Sequence, residues 1–379
     1  MSYAESVHDR ITYLDHAATT PMRPEAVEAM LPFLTERFGN PSGAHPMARD
    51  ARRAVDEARD VVADCLGCAP GEVVFTGSGT EADNMAIAGT TGSSVCSAVE
   101  HHAVLHAVER AGGRVVGVDA VGRVDLTELG AALDPDTGVV SVMLANNEVG
   151  VVQPLVRVTR LVSKAAPRAA VHTDAVQAFP WLDVAALARH AHLVAVSAHK
   201  FGGPKGVGAL VVRAGTVVEP LLVGGGQERD LRSGTHNVAG IVAMAAAMRV
   251  TVDTRDETVV RIGARRDRLV DELTARVPGL HETVPRDAKV AGSAHVCVEG
   301  VESEALLFLL DRAGICASAA SACASGAMAA SHVLAAMDVP KELAGGSLRL
   351  SLGWSSTDAD VDHVLDVLPA AVRRLRGEH

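Results

Sequence analysis

Lys200 lies in SAHKFGGPKG, Ser197–Gly206, between two apolar runs, His192–Val196 and Val207–Val212. A lysine at the end of a buried strand, followed by a glycine-rich turn, is poorly placed as a solvated charge. Open α/β sheets put their ligands where strands end. Partial desolvation disfavours the ammonium form, and the free amine is a nucleophile toward carbonyl carbon. The same placement suits a lysine paired to a carboxylate at a sheet edge, and this segment alone leaves both readings open. FTGSGTEADN, Phe75–Asn84, reads as a strand, a small-residue turn at Gly77–Thr80 and a helix from Glu81. That order offers free N–H groups and a positive dipole end to an anion. No lysine follows at the spacing of a nucleotide-binding P-loop. His101, His102 and His106 lie close together, but a zinc site needs a third ligand and an acidic partner that the local sequence lacks. Arg349, on a small and apolar strand, either pairs with a carboxylate of the protein or receives one from a substrate. Cys323 sits at the centre of ASAASACASGAMAASH, Ala317–His332, a small-residue segment expected to be partly mobile and open to reaction. It is otherwise an ordinary small core residue.

The elements that must position these residues follow from pattern. Tyr13–Pro21 is an extended arm ending in a turn, and Pro24 opens a helix that Pro32 should bend or split. Phe38–His45 is a loop, followed by an amphipathic helix over Met47–Cys65. Strands are expected at Glu72–Thr76, Val95–Val99, Val115–Val118, Val139–Leu144 and Ala169–Thr173, with helical sequence near Val184–Ala191. This alternation implies right-handed βαβ units and a mainly parallel sheet. Thr76, His101, Asn147, Asp174 and Lys200 then fall along one sheet edge. Asn146, Asn147 and Glu148 are turn-formers or ligand contacts. Gly224–Asn237 is a polar loop with something to bind or cover. Beyond about Asp253, helices at Val259–Ala275, Ser303–Ala313 and Thr357–Leu375 alternate with strands at His295–Val298 and Ser347–Ser351, a smaller α/β domain. Thr357 and Asp360 make a capping pair.

The 379 residues suffice for two domains, and 48% hydrophobic with 21% charged residues is a globular balance. A net charge of −11 argues against a nucleic-acid surface. MSYAESVHDR lacks a signal-peptide core, no apolar run is long enough to span a membrane, and six scattered cysteines suggest no disulfide framework. A cytoplasmic setting is expected. Cys65 continues the apolar stripe of its helix, so the Cys65–Cys68 spacing reads as core.

Together YLDHAATTP, GNPS, FTGSGTEADN, VEHHAVL, NNEVG, HTDAVQ, SAHKFGGPKG, RSGT, SACASG and RLSLG resemble the cysteine desulfurases. These are pyridoxal 5'-phosphate enzymes of the class V aminotransferase group, and the resemblance runs from Tyr13 to about Gly353. It implies a PLP-dependent transferase fold (fold type I), with a large cofactor-binding domain over 15–252 and a small domain from 1–14 and 253–379. It implies that Lys200 holds the cofactor covalently and moves the substrate Cα proton, and that Asp174 pairs with the ring nitrogen. Gln177 and Asn147 would contact the ring hydroxyl, and His101 would stack on the ring and handle protons. Gly79, Thr80, Ser197 and His199 would hold the phosphate, with Thr235 reaching it from the partner subunit of a homodimer. Arg349, helped by Asn147, would clamp the carboxylate of L-cysteine. Cys323 would take the sulfur as a persulfide and pass it to an acceptor protein in iron–sulfur cluster assembly or thiolation. No metal is implied. A selenocysteine or cysteine-sulfinate lyase, or another class V enzyme, could use the same cofactor residues. The GSG phosphate turn, Gln227 and Trp354 depart from the common family pattern; the Trp354 departure does not touch the catalytic set.

Overall fold

The computed structural model describes residues 11–319 and 331–378. Twelve strands occur among them: β1 (Thr12–Tyr13), β2 (Val73–Thr76), β3 (Ser93–Ser97), β4 (Arg114–Val116), β5 (Thr137–Ser141), β6 (Ala170–Asp174), β7 (Leu193–Ser197), β8 (Gly208–Val212), β9 (Leu280–Glu282), β10 (Ser293–Val298), β11 (Ile315–Cys316) and β12 (Ser347–Ser351). Seven form one sheet in the order β2-β8-β7-β6-β5-β3-β4. The pairs β7–β6, β6–β5, β5–β3 and β3–β4 are parallel, as the alternating pattern predicts, while β8 runs antiparallel to both its neighbours. Because β2 and β7 are both antiparallel to β8, they point the same way, so β2, β3, β6 and β7 all end on one sheet edge. β6, β7 and β8 are buried along their whole length, which explains the near-continuous apolar runs of β7 and β8, while β6 buries the polar His172, Thr173 and Asp174.

Local signals set the helices around this sheet. The helix Pro46–Leu66 starts with proline in its first turn and ends on Gly67 at φ 61°, a left-handed cap that glycine adopts without a Cβ penalty. Pro32 does not split the helix Pro24–Leu34, which runs on as one element. It sits in the last turn, where its carbonyl accepts from Thr35, Glu36 and Arg37 N–H groups as the helix ends. Both helices pack on a third, Val238–Asp253. Val184–Leu187 is a single turn, shorter than its helical pattern suggested.

A second sheet, β12-β10-β9, is antiparallel and packs with the helices Arg255–Arg276, Ser303–Arg312 and Asp358–Arg376. Thr357 and Asp360 form the expected capping box. β1 pairs with β11, and Asp15 bridges to Ser351, so the N-terminal arm crosses from the second sheet to the edge of the first. Among the described residues no helix is long and apolar enough to cross a membrane.

Candidate active site

His101, Asn147, Asp174 and Lys200 line one cavity of about 230 Å³, joined by Ser78, Gly79, Thr80, Asp83, Gln177, Ser197 and His199. Thr76 reaches the same edge but, with Thr235, lines a neighbouring cavity of about 100 Å³. Nearly every cofactor residue read from the sequence is therefore brought together within one chain. Thr235 is the exception.

The anion end is built from the helix Gly79–Ala88. Ser78 caps it, its Oγ accepting from Glu81 N–H at 3.1 Å. The first-turn N–H groups have no intrahelical acceptor. A Cβ on Gly79 would come within 2.8 Å of Val176 Cγ2 and 3.2 Å of Ser197 Cβ, so only glycine lets this turn approach the ends of β6 and β7. Neutral His199 lies at the same end. Burial, with Lys200 and Lys205, pushes its pKa down to about 4, and its Nδ1 sits 3.2 Å from Thr19 Oγ1.

Asp174 ends β6 with one carboxylate oxygen accepting from Val176 N–H at 2.8 Å. Burial, and then nearby Asp83, raise its pKa to about 6, against the opposing pull of His101. His101 caps the helix His102–Arg110, its Nδ1 accepting from Ala103 N–H at 3.1 Å. Burial lowers its pKa, so the neutral ring carries its proton on Nε2. Asn146 and Asn147 divide the roles that the sequence left open. Asn146 is the turn-former, accepting from the N–H groups of Glu148 and Val149, whereas Asn147 faces the cavity.

Lys200 stands between this cavity and a smaller one, of about 30 Å³, that holds Arg349. Its Nζ donates to the carbonyls of Ala17 and Ala18. Burial, and then the Arg349 charge, lower its pKa to about 8, with Asp174 and Asp15 opposing. Arg349 Nη2 donates to Asp15 at 2.7 Å and Nη1 to the Asn147 carbonyl at 2.9 Å, while its buried Nε has no partner among the described residues. Of the two readings of this arginine, the structure shows the pairing with an internal carboxylate, Asp15. Cys323 lies outside the described residues. None of the five described cysteines lines either cavity, and Cys316 is half-buried rather than turned fully to the core.

Sequence reasoning gave no role to Asp83, Glu100 or His172, which are buried behind Asp174. His172 and Asp174 are two residues apart on β6, so strand period alone put them on one face. Asp83 lies one helical turn beyond Gly79 and Thr80.

A lysine-bearing strand end facing a helix-terminus anion cradle, with an aspartate across the cavity, defines a pyridoxal-phosphate enzyme of the aminotransferase type. The chain belongs to the class V aminotransferase family, whose model matches residues 12–364. It is 41% identical to a cysteine desulfurase IscS of Dictyoglomus turgidum, over 97% of this chain and 96% of that one. It is 44% identical to an IscS-like cysteine desulfurase of Mycobacterium tuberculosis, over 97% of each. A solved NifS-like protein superposes with a TM-score of 0.89 at 36% identity, covering 96% of this chain and 100% of that one.

Proposed function

We propose that the protein is a cysteine desulfurase that uses pyridoxal 5'-phosphate to convert L-cysteine to L-alanine and carries the sulfur as a Cys323 persulfide. The observation that carries the reading is the position of Lys200, its amine set between an anion-cradling cavity and a second cavity holding Arg349. The residues fit the cofactor. Gly79, Thr80, Ser197 and His199 would hold the phosphate, Asp174 the ring nitrogen, His101 the ring face, and Asn147 with Gln177 the ring hydroxyl. The bound cofactor supplies an electron sink that acidifies the substrate Cα–H. Arg349 would orient the substrate carboxylate, and Lys200 Nζ, the group that would hold the cofactor, would take up the Cα proton. The Cys323 thiolate attacks the substrate sulfur. The Cβ–S bond breaks, an S–S bond forms, Cβ gains a proton, and alanine leaves. The persulfide passes to an acceptor protein of iron–sulfur cluster assembly or thiolation.

The organisation that goes with this reading is a large domain over 15–252 and a small domain from 1–14 and 253–379, supported by the pairing of β1 with β11. The working form is a cytoplasmic homodimer in which Thr235 of each chain completes the other's phosphate site. Purified protein supplied with pyridoxal phosphate and L-cysteine is expected to yield alanine together with protein-bound persulfide. Alanine without persulfide would leave only a lyase, and neither product would remove the reading.

A further inference from the structure

In the wall of the cavity, Asp83 and Asp174 approach closely, their carboxylate oxygens and a ring nitrogen of His101 all lying within 4.8 Å of one another. Two buried carboxylates this close oppose each other's ionisation, so one of the pair keeps a proton. Their surroundings decide which one keeps it. Asp174 accepts from Val176 N–H and faces His101 and Lys200. Asp83, 1% exposed, has an Oδ1 with no hydrogen-bond partner. Opposite it, at 3.5 Å, stands His172 Nε2, which is also buried and unpartnered. His172 is fully buried on β6, and its Nδ1 is bonded to Ser141 Oγ at 2.8 Å. Ser141 lies in turn against Glu100, whose Oε1 accepts from Met143 N–H at 2.7 Å.

One orientation runs consistently along the chain, with Glu100 Oε2 left without a partner among the described residues. The Asp83 hydroxyl points at His172 Nε2, His172 Nδ1–H donates to Ser141, and the Ser141 hydroxyl turns to Glu100. We infer that Asp83 is a neutral, proton-bearing positioning residue that turns its proton toward His172, so that Asp174 alone presents a charge to the cofactor ring. Two independent directions agree with this geometry. Burial raises Asp83 to about 8 and lowers His172 to about 4, which leaves an acid that keeps its proton beside a base that stays neutral. The groups facing Asp83 are Glu100 and His101 from the end of β3, and His172 and Asp174 from β6. Burial, against the pull of the Met143 N–H, raises Glu100 well above the usual carboxylate range.

The inference rests on the proposed cofactor site, and its test separates the two. In the cofactor-free protein near neutral pH, infrared difference spectra between wild type and Asp83→Asn should show loss of a protonated-carboxyl stretch, with no loss of carboxylate bands. That readout does not need the cofactor. In the loaded protein, Asp83→Asn keeps a neutral donor toward His172. It should therefore change the cofactor dissociation constant, and the pH midpoint of the visible band, less than about twofold. Asp83→Ala leaves Nε2 without a donor and should weaken cofactor binding about tenfold. If the Asn variant does not fold, wild type carrying carbon-13 in its aspartates still serves, because a protonated aspartate band must shift with the label. A carboxylate loss in the Asn variant, no label-sensitive band, or Asn behaving like Ala would each overturn the inference. A protein that shows the band yet binds no pyridoxal phosphate would instead overturn the proposed cofactor site.

Discussion

Lys200 illustrates how much of its chemistry is set by burial. An ordinary lysine amine is almost wholly protonated at neutral pH, and only the neutral amine attacks a carbonyl. Here desolvation and the Arg349 charge bring the pKa to about 8. The sign follows: below that value the amine is charged and inert, and above it the amine is free. The rate at which cofactor-free protein captures pyridoxal phosphate should climb with pH, reach half its plateau near 8, and then level off. Stopped-flow absorbance measures this directly, and a midpoint at the ordinary 10.5 would mean a solvated lysine. Arg349 makes a different demand, because its role is directional. Asp15 and the Asn147 carbonyl fix two of its donors, so the guanidinium cannot turn away from the cavity. Lysine cannot reproduce that fork. Arg349→Lys should lower kcat/KM for L-cysteine by about 10- to 100-fold, the worth of a charge-assisted pair, with the visible band of bound cofactor unchanged. Near-normal kinetics would take Arg349 out of substrate binding.

Strand ends were legible in the sequence, and helix-buried partners were not. His101, Asn147, Asp174 and Lys200 each stand where an apolar run stops, so chain order alone placed them on one edge. Asp83 escaped notice because it lies inside a helix whose polar and apolar residues look alike from either face. The helix Val238–Asp253 was missed for a related reason. VAGIVAMAAAMRVTVD is apolar nearly all round, because two helices cover it and no solvent face writes a 3.6-residue period. β8 read as one more strand, but nothing in its composition told its direction. The loop Gly224–Asn237 was legible as a loop and not as a strained one. Glu228, Arg229 and Asp230 are three consecutive non-glycine residues at φ 49°, 58° and 65°. Glu228 is the clamp. Burial alone would raise its pKa, yet the Arg59 fork (2.6 and 2.8 Å), His236 and Phe75 N–H hold it down to about 2. Left-handed backbone costs about 1–2 kcal/mol for a side-chain-bearing residue, somewhat less for aspartate. Asp230 is exposed, and glycine would relieve its φ at some cost in unfolded-chain entropy. Asp230→Gly should raise stability by about 0.5–1 kcal/mol, seen as a higher urea midpoint at unchanged slope. A lower midpoint would mean that the Asp230 side chain contributes more than its backbone strain costs.

Single-chain geometry leaves Thr235 apart from the phosphate cradle, and the surface around it explains how the site could be completed. The strip just before its loop is unusually apolar for solvent: Leu221 and Leu222 are 42% and 44% exposed, and Val223 is 80% exposed. Ser233 N–H donates to the Leu222 carbonyl at 3.0 Å, so strip and loop move as one piece. A second exposed apolar group comprises Leu31 and Leu34, at the end of the helix that packs on Val238–Asp253, and Phe38 just beyond it. The consecutive exposed residues Leu221, Leu222 and Val223 are the kind of apolar surface that a protein interface covers. A two-fold arrangement would bury the same patch on both chains and bring each Thr235 toward the other chain. The purified protein should therefore sediment at twice 39.2 kDa at assay concentrations. Val223→Asp places a charge in that patch and should shift the protein toward monomer, weakening cofactor retention as each site loses the partner's loop. Thr235→Ala should leave the dimer intact and weaken retention alone. The pair separates assembly from contact: a monomeric Val223→Asp variant with wild-type cofactor affinity would show that each chain closes its own site, and a wild-type monomer with full desulfurase activity would remove the shared site altogether.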